Sequence, residues 1–140
     1  MPIRVAVEAE LLDKMQVSVR YRSHEDIIDE PVEMGGEDEG PTPVETLVGS
    51  VASCTAITLR MGAEKHGIPL KSVSMKLSGE FVNPKRFDGR NFLIRNTVDV
   101  KGHLTDEHLD KLEYFVTRCP VHMILEGGVA VETEIRLRES

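Results

Sequence analysis

Thr42-Pro43-Val44-Glu45-Thr46-Leu47-Val48-Gly49-Ser50-Val51-Ala52-Ser53-Cys54-Thr55-Ala56-Ile57 is the stretch on which the reading of this chain turns. Thr42 suits a helix N-cap, Pro43 the first helical position, and Glu45 completes a capping box three residues after the cap. The helix is predicted to run to Lys65-His66, with Gly67 as its C-terminal stop. From Leu47 to Ile57 it has no charged face, and a helix apolar or small all round is one buried on all sides. In a 140-residue chain one sheet covers only part of such a helix, so a second subunit is the expected source of the rest. Gly49, Ser50, Ala52, Ser53 and Ala56 would permit close backbone approach.

Working outward, strand patterns come first. Ile3, Val5, Val7 and Ala9 alternate with Arg4 and Glu8, and Met15, Val17, Val19 and Tyr21 alternate with polar residues. Asp26 to Asp29 reads as a short third strand closed by Pro31. Between Glu25 and Glu39 lie eight acids and no Lys or Arg, a solvated loop or else a flap over a neighbouring site. After the helix, Val73 to Phe81 and Phe92 to Lys101 read as two longer strands joined by the turn formers Asn83 to Gly89. Thr105 caps a second helix whose inward stripe is Leu109, Leu112, Phe115, Val116 and Cys119. Pro120 breaks that helix, a short turn spans Val121 to Leu125, and Val129 to Leu137 alternate as a last strand. The reading is α+β, one domain over residues 1–140.

A net charge of −7 disfavours nucleic acid and anionic membrane as partners. The longest uncharged run, Thr46 to Leu59, is 14 residues, short of the roughly 20 that a span needs. The N-terminus lacks the apolar run of a signal peptide, so the cytoplasm is expected, where a standing structural disulfide is unusual. Cys54 and Cys119, the only cysteines, are then either inert space-filling thiols or a redox pair. Cys119 sits where free N–H groups of the following turn can point at its sulfur and favour the thiolate. If the two meet in space, they supply the parts of a dithiol peroxidase: one thiolate becomes a sulfenic acid and the other closes a disulfide. Cys119 with His122 as a metal-ligand pair, and a Cys–His nucleophile for acyl substrates, are weaker alternatives.

The segment Gly40 to Leu59 resembles the central helix of the OsmC/Ohr family, the osmotically inducible and organic hydroperoxide resistance proteins. Arg118-Cys119-Pro120-Val121-His122 is similar to that family's Cys-Pro box, and Asp29-Glu30-Pro31, Gly35-Gly36 and Gly40-Pro41 resemble one branch of it. The resemblance implies antiparallel sheets packed around a long buried central helix in an intertwined homodimer whose sites are lined by both subunits. It implies a thiol peroxidase for organic hydroperoxides with Cys54 peroxidatic and Cys119 resolving, no bound cofactor or metal, and a small thiol or dihydrolipoyl (lipoyl-protein) reductant. It carries Glu45 over as a third catalytic residue, beside its reading as a cap, although the hydroperoxide resistance branch has its glutamate one position earlier, where Val44 stands. That branch also holds its thiolate with an arginine; no arginine here matches clearly, and Arg20 and Arg22 lie on the polar face of the second strand. His24 is matched within its branch, without an assigned role. The alternative is a non-catalytic dimer binding an apolar small molecule at the subunit interface.

Overall fold

A computed structural model describes residues 4–138. The chain packs as two compact units, Met1–Gly49 and Ser50–Ser140.

The first unit is a three-stranded antiparallel sheet, β1 (Glu8–Leu11), β2 (Val17–Tyr21) and β3 (His24–Ile28), in the order β1-β2-β3. Pairing of Tyr21 with His24 leaves Arg22-Ser23 as a two-residue turn, and Arg22 adopts φ 58° there, as such hairpins require. The predicted first strand begins later than its alternation: residues 4–7 are unpaired, and Ile3 lies outside the described residues. After β3 the acidic loop is built around Asp29. Its carboxylate, 1% exposed, accepts the backbone N–H groups of Glu30 (2.7 Å), Glu37 (3.2 Å) and Glu39 (3.1 Å). The loop folds so closely on itself that a Cβ on Gly36 would strike the Glu30 carbonyl, and one on Gly40 the Ile27 carbonyl. Burial by itself would raise the Asp29 pKa, but those three donors, with Lys14 nearby, hold it below the ordinary carboxylate value.

Helix α1 (Pro43–His66) runs from the first unit into the second and ends as the sequence requires, with Gly67 at φ 63°. In the second unit its buried stripe is Val51, Thr55, Leu59 and Ala63. The prediction of burial on all sides is therefore not met within one chain: Ile57 and Met61 are 59% and 64% exposed. Leu59 and Ala63 meet Ile68, Leu70 and Leu112 to form the core, with Val73, Val98 and Val100 packed against it from the hairpin β4 (Leu70–Phe81) and β5 (Phe92–Gly102). Helix α2 (Asp106–Val116) starts at Thr105, whose hydroxyl accepts the His108 N–H at 3.1 Å while His108 Nδ1 accepts the Thr105 N–H at 3.1 Å. It lies close against α1, where a Cβ on Gly62 would enter the Phe115 ring.

Two predictions are corrected in this unit. The turn expected after Pro120 is an eight-residue helix, α3 (Pro120–Gly127), because Pro120 occupies its first position, where the missing N–H costs nothing. The strand expected from Val129 to Leu137 is not formed: residues 129–138 have no ladder partner in the single chain, and Val131, Ile135 and Leu137 stand exposed. Alternation makes a strand only where a neighbouring edge accepts its hydrogen bonds.

Candidate functional site

Cys54 stands halfway along α1, half-buried, on the margin between the buried stripe and the exposed Ile57 and Met61. Cys119 is the N-cap of α3 and is wholly buried. Helix α2 ends at Val116, and Cys119, in extended geometry (φ −60°, ψ 123°), turns the chain into α3. That turn brings Cys119 near enough to Cys54 to perturb its thiol, both cysteines being free. Two residues 65 positions apart thus lie near each other inside one unit.

Two further groups act on the Cys54 thiol: the Thr58 hydroxyl, one helical turn on, and the Val121 N–H in the first turn of α3 both lower its pKa. Pro120 has no N–H, so Val121 provides the first donor of that helix. The Cys119 side chain makes no capping bond with the donors expected to serve it. Burial pushes the Cys54 pKa above its ordinary value of 9.0, and the neighbouring Cys119 pushes it further; the Val121 amide and the Thr58 hydroxyl pull it back in part. In the single chain the balance favours the thiol. Sequence reasoning missed both helpers. The i, i+4 spacing of Cys54 and Thr58 was visible in the sequence, but the Val121 contact is tertiary.

The other candidates are placed elsewhere. Glu45 is exposed and closes the capping box with Thr42: its carboxylate accepts the Thr42 N–H at 2.8 Å, and its own N–H donates to the Thr42 hydroxyl at 3.1 Å. Arg20 pairs with Glu8 at 3.3 Å across the β1–β2 ladder, and Arg22 forms the hairpin turn. His122 Nε2 lies 2.9 Å from Glu126 Oε1, one turn along α3. Among the described residues no group of three or more His, Cys, Asp or Glu is gathered to hold a metal ion. An open cavity of about 330 Å³ is lined by Ala56, Ile57, Arg60, Met61 and Val73. No helix among the described residues is long and apolar enough to cross a membrane.

This fold, with a cysteine on the long helix meeting one at a helix start, defines a class of protein. Residues 36–134 match the family described as OsmC-like protein, and the chain belongs to that family. Its fold is similar to that of an OsmC-like protein from Mycoplasma pneumoniae, with a TM-score of 0.77 at 19% identity, covering 91% of this chain and 90% of the other. An organic hydroperoxide resistance protein from Legionella pneumophila, described as a predicted redox protein, has a TM-score of 0.63 at 19% identity, covering 86% and 87%. The Bacillus subtilis protein YmaD, itself uncharacterised, is 26% identical over 114 residues, covering 77% of this chain and 75% of its own.

Proposed function

We propose that this chain is a thiol peroxidase for organic hydroperoxides, and the nearness of Cys119 to Cys54 inside one unit carries the reading. The Cys54 thiolate attacks the terminal oxygen of a hydroperoxide ROOH. The O–O bond breaks, ROH leaves after taking a proton, and Cys54 holds a sulfenic acid. The Cys119 thiol then attacks the Cys54 sulfur, water departs, and a disulfide closes. A small thiol or a dihydrolipoyl group on a protein returns both to thiols, so the chain needs no bound cofactor. A reducing, cytoplasmic setting suits that cycle. The family's hydroperoxide resistance members support the substrate class.

The working form is an intertwined homodimer. Exposed Ile57 and Met61 on α1, and the alternating apolar residues Val129 to Leu137 left without a ladder, support a second copy that covers the one and pairs with the other. Sedimentation equilibrium tests this directly, and a monomer at micromolar concentration would refute it.

Cys54→Ser is expected to abolish consumption of cumene hydroperoxide, and Cys119→Ser to leave a sulfenic acid that a dimedone probe traps. Consumption at the parent rate by both variants would end the peroxidase reading. The upward shift of the Cys54 thiol favours a second reading, a non-catalytic dimer that holds an apolar small molecule beside Ile57 and Met61. That reading predicts unreactive thiols and a bound apolar ligand in native mass spectrometry.

A further inference from the structure

A net charge of −7 disfavours an anionic membrane as partner of the chain as a whole, but that charge is unevenly spread. Residues 80–95 hold four cations, Lys85, Arg86, Arg90 and Arg95, against two acids, Glu80 and Asp88. They gather at the far end of the hairpin of β4 and β5. Leu70, Val73, Val98 and Val100 anchor the base of that hairpin in the core. Its last pair, Phe81 with Phe92, lies eight residues beyond Val73, roughly 26 Å along the strand. There Phe81 packs edge-on against both Phe92 and Phe87, with ring centroids 5.0 Å apart in each case. Phe81 and Phe92 are half-buried, but Phe87 is 76% exposed and Val82 66%.

The loop that presents these side chains is held in one shape. Asn91 is buried; its amide donates to the carbonyls of Asn83 and Arg86, and its oxygen accepts the Asn83 N–H at 2.9 Å. Asp88 accepts the Arg90 N–H at 3.1 Å and pairs with Arg86 at 3.0 Å, while Glu80 pairs with Arg95 at 3.1 Å. Lys85 and Arg90 have no carboxylate partner among the described residues. The result is a fixed, projecting end that carries an exposed ring and two unpaired cations.

We infer that the end of this hairpin docks on an anionic lipid surface: Phe87 and Val82 enter the headgroup boundary while Lys85, Arg86 and Arg90 meet lipid phosphates. The sign of the patch is opposite to that of such a surface, and acids more than about 8 Å from the patch are largely screened at physiological salt. A protruding ring beside cations suits a layer that it can enter. A nucleic acid strand would ask for a groove with a row of cations and stacking rings along it, and here two unpaired cations accompany a single exposed ring. The inference stands apart from the peroxidase reading, since neither cysteine takes part.

Co-sedimentation of the full chain with vesicles tests this, using phosphatidylcholine alone and phosphatidylcholine with one-third phosphatidylglycerol. The chain should pellet with the anionic vesicles and not with the neutral ones, and added salt should release it. Lys85→Gln combined with Arg90→Gln should weaken partitioning about thirtyfold. Phe87→Ser should weaken it about tenfold, whereas Phe87→Leu keeps an apolar side chain and should bind like the parent. The double variant changes exposed side chains only, so it reads the charge even where Phe87→Ser disturbs the aromatic cluster. Failure of the parent to pellet with anionic vesicles overturns the inference, and so does parent-like binding by the double variant. Capture by poly-glutamate or a single-stranded oligonucleotide, with none by vesicles, would give the patch to an acidic protein or a nucleic acid instead. A lowered mass for Phe87→Ser at sedimentation equilibrium, again without vesicle binding, would give the ring to a second copy of the chain.

Discussion

Replacing Gly36 with alanine sets a methyl group against the carbonyl of Glu30 and within 2.7 Å of the Asp29 carboxylate. Gly36 is buried, and its N–H donates to the Pro31 carbonyl at 3.0 Å, so it cannot swing away without giving up that bond. The atoms it would strike are held in turn. The Glu30 carbonyl accepts the Asp38 N–H at 3.0 Å, and Asp29 accepts three backbone N–H groups. Overpacking against a fixed backbone costs about 1–3 kcal/mol. A clash with fixed backbone this close lies in the upper half of that range, and alanine returns about 1 kcal/mol by restricting the unfolded chain, which leaves a net loss of about 1–2 kcal/mol. For a chain of this length that is roughly 3–10 °C in Tm. Gly127→Ala is the control, because a Cβ there meets nothing within 4 Å. Urea unfolding at pH 7, followed by circular dichroism, should show a lowered midpoint for Gly36→Ala and an unchanged or slightly raised one for Gly127→Ala. Equal midpoints for Gly36→Ala and the parent would refute the account of this loop.

Other outcomes follow from the same structure. Asp29, its pKa lowered in the folded chain, contributes stability above the unfolded value of about 3.9, and that contribution is lost as pH falls through the folded value; Asp29→Asn should lose less stability than the parent between pH 5 and pH 3 in urea titrations. Cys54, its pKa raised, works in the opposite sense: its contribution is complete below the ordinary thiol value and is lost as pH climbs through the folded one, so Cys54→Ala should flatten the alkaline limb of stability, measured from pH 8 to 11. Leu59→Ala, at a core position 1% exposed, should cost about 2–5 kcal/mol by urea unfolding, whereas Ile57→Ala, more than half exposed, should cost well under half as much in a monomer. Glu45→Gln keeps the acceptor of the capping box and removes the charge; if Glu45 takes part in the chemistry, peroxide consumption falls while stability holds, and an unchanged rate assigns it to the cap alone.

Much of the fold was legible because its signals are local. Pro43, the Thr42–Glu45 box and Gly67 delimit α1, since capping is settled within a turn by side chains next to the backbone they satisfy. The hairpin from Leu70 to Gly102 was readable from alternation, each strand having the other as neighbour. The last predicted strand failed for the complementary reason. Val129 to Leu137 carry the same pattern, but a ladder needs an edge to pair with, and the periodicity of one segment says nothing about which edge that is, or which chain supplies it. The branch pattern from Asp29 to Gly40 was visible as letters and opaque as physics. Only the folded loop shows one carboxylate gathering three amides, with glycines where a side chain would collide.

The site divides along the same line. That Cys54 and Cys119 should come near each other was conceivable from two inward-facing positions, but the start of α3 at Pro120, with Cys119 as its N-cap, is tertiary information that no spacing rule supplies. The α3 amide donation to the Cys119 sulfur that the pattern suggested is not made as a side-chain capping bond. A residue at an N-cap turns its side chain beside the helix start, and a free amide of the first turn points outward along the axis, towards whatever packs there. The Val121 amide is among the groups that lower the Cys54 pKa. The burial that brings the sulfurs together also raises the cost of ionising one of them, so proximity and reactivity pull against each other at this site. Neutral donors ease that conflict without importing a charge that would itself need burying. If the proposed peroxidase cycle operates, such a site trades thiolate population at neutral pH for a second thiol held nearby, and its turnover should be governed by ionisation of Cys54 and not by the search of one sulfur for the other.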